Sequence, residues 1–147
     1  MNIKQFMSQD HKDCDLFFAK TETAVSAEDW TEASQTFNAF IEAMEHHLGF
    51  EEQVLFPTFE ESTGMTTGPT VMMRLEHDQM RDLFAEMRDA LKQQQSDDYL
   101  GAAETLLMLM QQHNMKEEQI LYNMMDQALS SEATDWQQAF KDWNPGA

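Results

Sequence analysis

Four of the five histidines in this chain fall at a fixed interval: His11 and His77 are 66 residues apart, and so are His47 and His113. The second pair carries more. Each is followed four residues later by a glutamate, His47 by Glu51 and His113 by Glu117, and on a helix that spacing puts both side chains on one face, about 6 Å apart along the axis. Imidazole nitrogen and carboxylate oxygen are the ligands that iron, manganese and zinc accept. Copper(I) prefers thiolate or thioether, and calcium prefers an all-oxygen set. Two carboxylates and four imidazoles buried without a cation would cost several kcal/mol per charge, as much as a marginally stable domain has in hand. The competing reading, six ordinary polar side chains, has to treat the doubled spacing as coincidence.

The elements that position these groups follow from apolar periodicity. Ile3, Met7, His11, Cys14, Phe18 and Val25 line one face of a first helix. Ser26 with Asp29 reads as the cap of a second helix beginning near Ala27, with Phe37, Phe40, Met44, His47, Glu51 and Leu55 inward and Pro57 as its breaker. After the loop of Gly64 to Pro69, a third helix from about Thr70 points Met73, His77, Met80, Phe84, Met87 and Leu91 inward. Ser96-Asp97-Asp98 reads as the cap of a fourth, with Leu106, Met110, His113, Glu117, Ile120, Leu121 and Met124 inward, fading near Ser130. Trp136, Phe140 and Trp143 keep helical spacing in a short last segment that Asn144-Pro145-Gly146 stops.

The 66-residue offset is a duplication. His47 through Phe56 aligns with His113 through Tyr122, keeping the His, both Glu, the Gln and the Leu. A doubled αα-hairpin predicts an all-α, up-down-up-down four-helix bundle with a short C-terminal helix. The expected organisation is one domain over 1–147, with hairpins at about 2–62 and 70–130 and a C-terminal segment 131–147. In antiparallel helices, two residues stand level when the turn lies at their sequence midpoint. That midpoint is residue 29 for His11 and His47, 95 for His77 and His113, and 62 for His47 and His77, all at expected turns. Four histidines on four helices therefore share one layer.

Composition narrows the partners. The 147 residues carry 27 Asp plus Glu against 9 Lys plus Arg, a formal charge of −18 that repels nucleic-acid phosphates and anionic lipid surfaces. No apolar run is long enough for a membrane span, and Met1 to Asp10 lacks the features of a secretory signal. The single cysteine, Cys14, has no internal partner, and the expected compartment is the reducing cytoplasm. The expected partner is a small molecule such as dioxygen, nitric oxide or peroxide, with a protein partner or homodimer left open.

The lone His, His-x3-Glu, lone His, His-x3-Glu pattern at His11, His47/Glu51, His77 and His113/Glu117 resembles the hemerythrin-like, or HHE cation-binding, domains across residues 7 to 126. The resemblance implies a four-helix bundle around two non-heme, carboxylate-bridged iron ions, with manganese and zinc fitting the same donors. Oxygen-carrying hemerythrins have a further histidine where this chain has Met73, and end in His-x4-Asp where it has His-x3-Glu. The implied site is more symmetric and more open. The expected function is binding of dioxygen, nitric oxide or a related ligand for sensing, storage or protection. The alternatives are a di-iron oxidoreductase acting on peroxide or nitric oxide, and an iron-handling protein.

Other residues stay open between two readings. His46 lies about 100° around the helix from His47 and suits solvent or support of a ligand better than ligation. Glu52 and Glu118 rotate away from their neighbours in the same way. Asp10, Asp15, Glu76 and Asp78 flank the lone histidines and could accept the imidazole N–H that faces away from a metal, or simply be solvated. Cys14 and the central methionines Met7, Met73, Met80 and Met110 read first as packing. Tyr122 and His46 are the nearby candidates for proton delivery. Trp136, Phe140 and Trp143 suit packing on the bundle end better than a partner surface.

Overall fold

The computed structural model describes residues 1–145, and every regular element in them is helical. Asn2 starts the first helix, α1 (Ile3–Ser26), through a reciprocal cap with Gln5, and Asp126 reaches from the far end of the chain to accept the Ile3 and Lys4 N–H groups at 2.8 and 3.1 Å. Those two N–H groups have no partner inside their own helix, so this contact ties the amino terminus to the last bundle helix.

α2 (Trp30–Phe50) runs into a π-helical turn, π1 (Glu51–Leu55), and on into α3 (Phe56–Thr63). α4 (Pro69–Lys92) returns, and α5 (Ser96–Lys116), a second π turn π2 (Glu117–Leu121) and α6 (Tyr122–Ala128) complete the second hairpin. The two tight turns are copies. Glu28 and Gln94, 66 residues apart, both take positive φ, 56° and 54°. The N–H of the next residue returns to a carbonyl five residues earlier at 2.9 Å in each case. α7 (Trp136–Asp142) is the short C-terminal helix. The expected all-α bundle of two hairpins plus a short last helix is the observed architecture.

Several local expectations change. Asp29, not Ser26, caps α2, accepting from the Glu32 N–H, because the turn takes residues 27–29 out of the helix. Pro57 does not end the second helix. It sits in the first turn after π1, and the Glu52 carbonyl that its missing N–H would have bonded accepts from Arg74 Nη1 at 3.2 Å instead. Ser96 starts α5 behind Gln95 and is not its cap. Ile120, expected inward, is 56 % exposed; the extra residue in the π2 turn swings it out. Gly146, part of the expected stop, lies outside the described residues.

Two apolar clusters fill the bundle, one built around Phe18, Phe37, Phe40, Phe84, Tyr99 and Leu106, the other around Phe6, Phe50, Phe56, Phe59, Leu121 and Tyr122. α7 packs on the second. Phe140 meets Phe50 and Phe6 at ring distances of 5.1 and 5.6 Å, so the last helix does cover the bundle. No helix among the described residues is long and apolar enough to cross a membrane.

Trp143 lies directly on Gly49, where an added Cβ would stand 2.3 Å from the indole. Replacing a mid-helix glycine by alanine gains roughly 0.5–1 kcal/mol of helix stability, while overpacking costs roughly 1–3 kcal/mol, so at Gly49 the clash wins. Gly49→Ala should displace Trp143 and loosen α7, read as a red shift of indole emission. Gly101→Ala, where the methyl meets nothing within 4 Å, should raise the thermal midpoint without that shift.

Candidate metal centre

Between the two apolar clusters lies one polar layer. His47, Glu51, His77, His113 and Glu117 are almost fully buried, and His11 is nearly so. All six residues singled out by spacing meet there. Their inward atoms form two groups of potential ligands lying within 4.8 Å of one another: His11, His47 and Glu117 in one, Glu51, His77, His113 and Glu117 in the other. Glu117 Oε1 is 3.1 Å from His11 Nε2 and 3.3 Å from His113 Nε2. Glu51 Oε1 is 3.3 Å from His77 Nε2 and 3.6 Å from His47 Nε2. Each glutamate thus spans both halves.

The outward nitrogen of each of the four histidines in the layer is held by a carboxylate. His11 Nδ1 meets Glu118 at 2.6 Å and His77 Nδ1 meets Glu52 at 2.8 Å; His47 Nδ1 meets Asp10, and His113 Nδ1 meets Glu76, each at 2.8 Å. Glu118 and Glu52 are equivalent at the 66-residue offset, as are Asp10 and Glu76, so the support is duplicated with the ligands. An ionised carboxylate only accepts, so Nδ1 carries the proton and Nε2 is left to face the centre. Of the flanking acids considered from sequence, Asp10 and Glu76 take this role; neither Asp15 nor Asp78 hydrogen-bonds any of the four imidazoles. His46 stays outside the layer. Its Nε2 meets the Trp143 carbonyl at 3.0 Å and its ring packs on Phe140.

Tyr122, a nearby candidate for proton delivery from sequence, is the residue whose place spacing did not reveal. At an α-helical 100° per residue it would lie about 140° around from Glu117. The π2 turn, with one more residue per hydrogen-bonded ring, brings it inward instead. Its hydroxyl is fully buried, 2.8 Å from Glu51 Oε2 and 3.0 Å from Glu117 Oε1. One proton can serve only one of them.

Electrostatics shows what the layer lacks. Burial and the charge of Glu117 push the Glu51 pKa up, whereas the contacts of Glu117 with His113 and His11 outweigh its burial and hold its pKa well down. For His11, burial alone would lower the pKa, but the carboxylates of Glu117 and Glu118 outweigh it and raise it to about 10; for His77 burial is likewise outweighed by the nearby charge of Glu51 and the hydrogen bond to Glu52, which raise it to about 9. Even so, Glu51 Oε1, Glu117 Oε2, His77 Nε2 and His113 Nε2 are buried with no hydrogen-bond partner. Orphaned buried polar atoms are rare and costly, and four of them converging, two carboxylate oxygens and two imidazole nitrogens, fit a cation.

The hemerythrin HHE cation binding domain model matches residues 2–125 of the chain. The chain belongs to this family. No curated protein and no solved structure matches it. The cation-binding character of the HHE domain agrees with the buried His/Glu groups described above.

Beside the layer is a cavity of about 10 Å³, lined by His11, His47, His113 and Glu117 on one side and by Cys14, Met44, Leu48, Met80 and Met110 on the other. It has room for one water-sized molecule. Exposed Asp15 and half-buried Asn114 border it between α1 and α5. Burial and the nearby Asp10 charge push the Cys14 thiol pKa up, so Cys14 is a protonated packing group.

The raised histidine pKa values have a testable sign. A group whose folded pKa lies above its ordinary 6.5 contributes stability that is complete below that value and lost as pH climbs through the folded pKa. With His77 at about 9 and His11 at about 10, chelator-treated protein should lose thermal stability as pH rises from 6.5 towards 10. Metal-loaded protein, in which Nε2 carries no proton, should lack this alkaline decline. Thermal unfolding across that pH range, with and without chelator, measures both.

Proposed function

We propose that this HHE domain is a non-heme di-iron protein that binds dioxygen, nitric oxide or a related small ligand. His11 and His47 would hold one ion and His77 and His113 the other, with Glu51 and Glu117 placed between the two pairs to serve both. The observation that carries the reading is the convergence of six buried ligand-capable side chains, four of their atoms unpartnered. Two cations answer that arrangement better than one, because each glutamate lies between both pairs of imidazoles.

When bound, the ions supply open coordination positions and redox capacity. The chain does the rest. Asp10, Glu52, Glu76 and Glu118 orient the four imidazoles, the apolar clusters above and below exclude bulk water, and the cavity admits one small molecule. A pocket of that size favours a ligand near the size of water and leaves no room for an organic substrate. Carriage, sensing and protective storage all use this step. The oxidoreductase alternative, consumption of peroxide or nitric oxide, uses the same cavity and differs in whether the ligand is turned over.

Protein purified from iron-replete cells should contain close to two metal ions per chain. Glu51→Ala or Glu117→Ala should lower that content to one or none, and His46→Ala should leave it unchanged. Glu52→Gln and Glu118→Gln, which weaken the grip on an imidazole without removing a ligand, should reduce affinity by about 10–100-fold in chelator competition. Exposure of reduced protein to oxygen, nitric oxide and then peroxide, followed optically, separates a stable reversible adduct from sustained consumption. A single metal per chain in fully loaded protein would overturn the dinuclear reading.

A further inference from the structure

The two halves of the centre differ in the ring that closes each of them. At the 66-residue offset Tyr122 corresponds to Phe56, and the two rings occupy equivalent places. Tyr122 stacks on His11 at 5.8 Å and Phe56 on His77 at 5.6 Å, each with an interplanar angle of 27°. Only Tyr122 carries an oxygen into the layer.

That oxygen is spaced as a ligand would be. Ions of this class bind nitrogen and oxygen at roughly 2.0–2.2 Å, so atoms sharing one ion stand roughly 3.0–3.4 Å apart for octahedral to tetrahedral angles. Tyr122 Oη is 3.3 Å from His11 Nε2, 3.3 Å from His47 Nε2 and 3.0 Å from Glu117 Oε1. His11 Nε2 and Glu117 Oε1 are themselves 3.1 Å apart. The same hydroxyl donates to Glu51 Oε2 at 2.8 Å, so ligation would exchange that hydrogen bond for a bond to an ion already flanked by both imidazole nitrogens.

A second asymmetry points the same way. In the His77–His113 half, the supporting carboxylates are neutralised: Arg81 binds Glu52 at 2.8 and 3.0 Å, and Lys116 binds Glu76. In the His11–His47 half, Asp10 and Glu118 have no Lys or Arg partner among the described residues. That half keeps its negative charge.

We propose that Tyr122 Oη is a further ligand of the ion held by His11 and His47, with no counterpart in the other half, and that this position favours a trivalent ion. On loading, an Oη–metal bond forms, the Oη–H bond breaks and the proton is released to solvent. The inference rests on the two-metal reading above.

Ferric-loaded protein should show a phenolate-to-iron absorption in the visible and enhanced tyrosine ring vibrations in resonance Raman spectra. Tyr122→Phe should lose both. The chain has only two tyrosines, and Tyr99 is buried in the other apolar cluster beside Phe37, so Tyr99→Phe should keep both signals and decides the assignment even where Tyr122→Phe folds poorly. In protein loaded with one ferric and one zinc ion per chain, the band should keep nearly its full intensity; a fall to half would overturn the trivalent preference. Two irons per chain with no phenolate signal would overturn the ligand assignment and leave the two-metal reading standing. Protein that takes up no metal would overturn both.

Discussion

Glu51 and Glu117 are both fully buried and lie side by side in the bundle. Two like charges about 4 Å apart repel by about 4 kcal/mol even at an effective dielectric of 20, and neither carboxylate has water to help it. Protons or cations must stand between them. The four imidazoles supply the first and can hold the second, and the outer ring of Asp10, Glu52, Glu76 and Glu118 fixes which imidazole nitrogen faces inward. Remove the apolar clusters on either side and the demand disappears, because solvated carboxylates need no such partners. The chemistry of the layer is a consequence of where the hydrophobic residues are.

The π turns make the geometry work. Each begins at a bridging glutamate, Glu51 or Glu117. An uninterrupted α-helix would continue the His-Glu face into Val54 and Ile120; with the extra residue, Leu55 and Leu121 seal the layer and Phe56 and Tyr122 come to lie against it. In the first hairpin the helix tolerates Pro57 just past this turn, and Arg74 satisfies the freed carbonyl. Because both hairpins carry the turn at the same offset, it belongs to the repeat and is not a local accident of packing.

This explains which parts of the molecule could be read from residues alone. Turn positions, the duplication and the shared height of His11, His47, His77 and His113 follow from a 1.5 Å rise and the 100° period, and they appear as expected. Ile120 does not, because the period changes just upstream of it, and for the same reason spacing could not place Tyr122. An inserted π residue has no composition signal of its own, although the repeated Glu-Glu-Gln-hydrophobic-Leu stretch followed by Phe or Tyr marks where it lies. The choice of Asp10 over Asp15 and of Glu76 over Asp78 was equally hidden. It depends on the rotation of one helix against its neighbour, which local spacing leaves free.

Charge and shape together restrict what can reach the proposed centre. The cavity floor is made of Met44, Leu48, Met80 and Met110, its wall of imidazole and carboxylate, and its border includes Asp15. An anion would approach a surface of net charge −18 and then pass a carboxylate. A neutral diatomic meets neither penalty, loses little hydration and gains contact with polarizable methionine sulfur. The unneutralised Asp10 and Glu118 lie behind the imidazoles of the His11–His47 half, where they favour a highly charged ion without presenting a partner to an incoming molecule. On the proposed reading, the same negative charge that disfavours anions at the exterior would favour small neutral ligands at the centre.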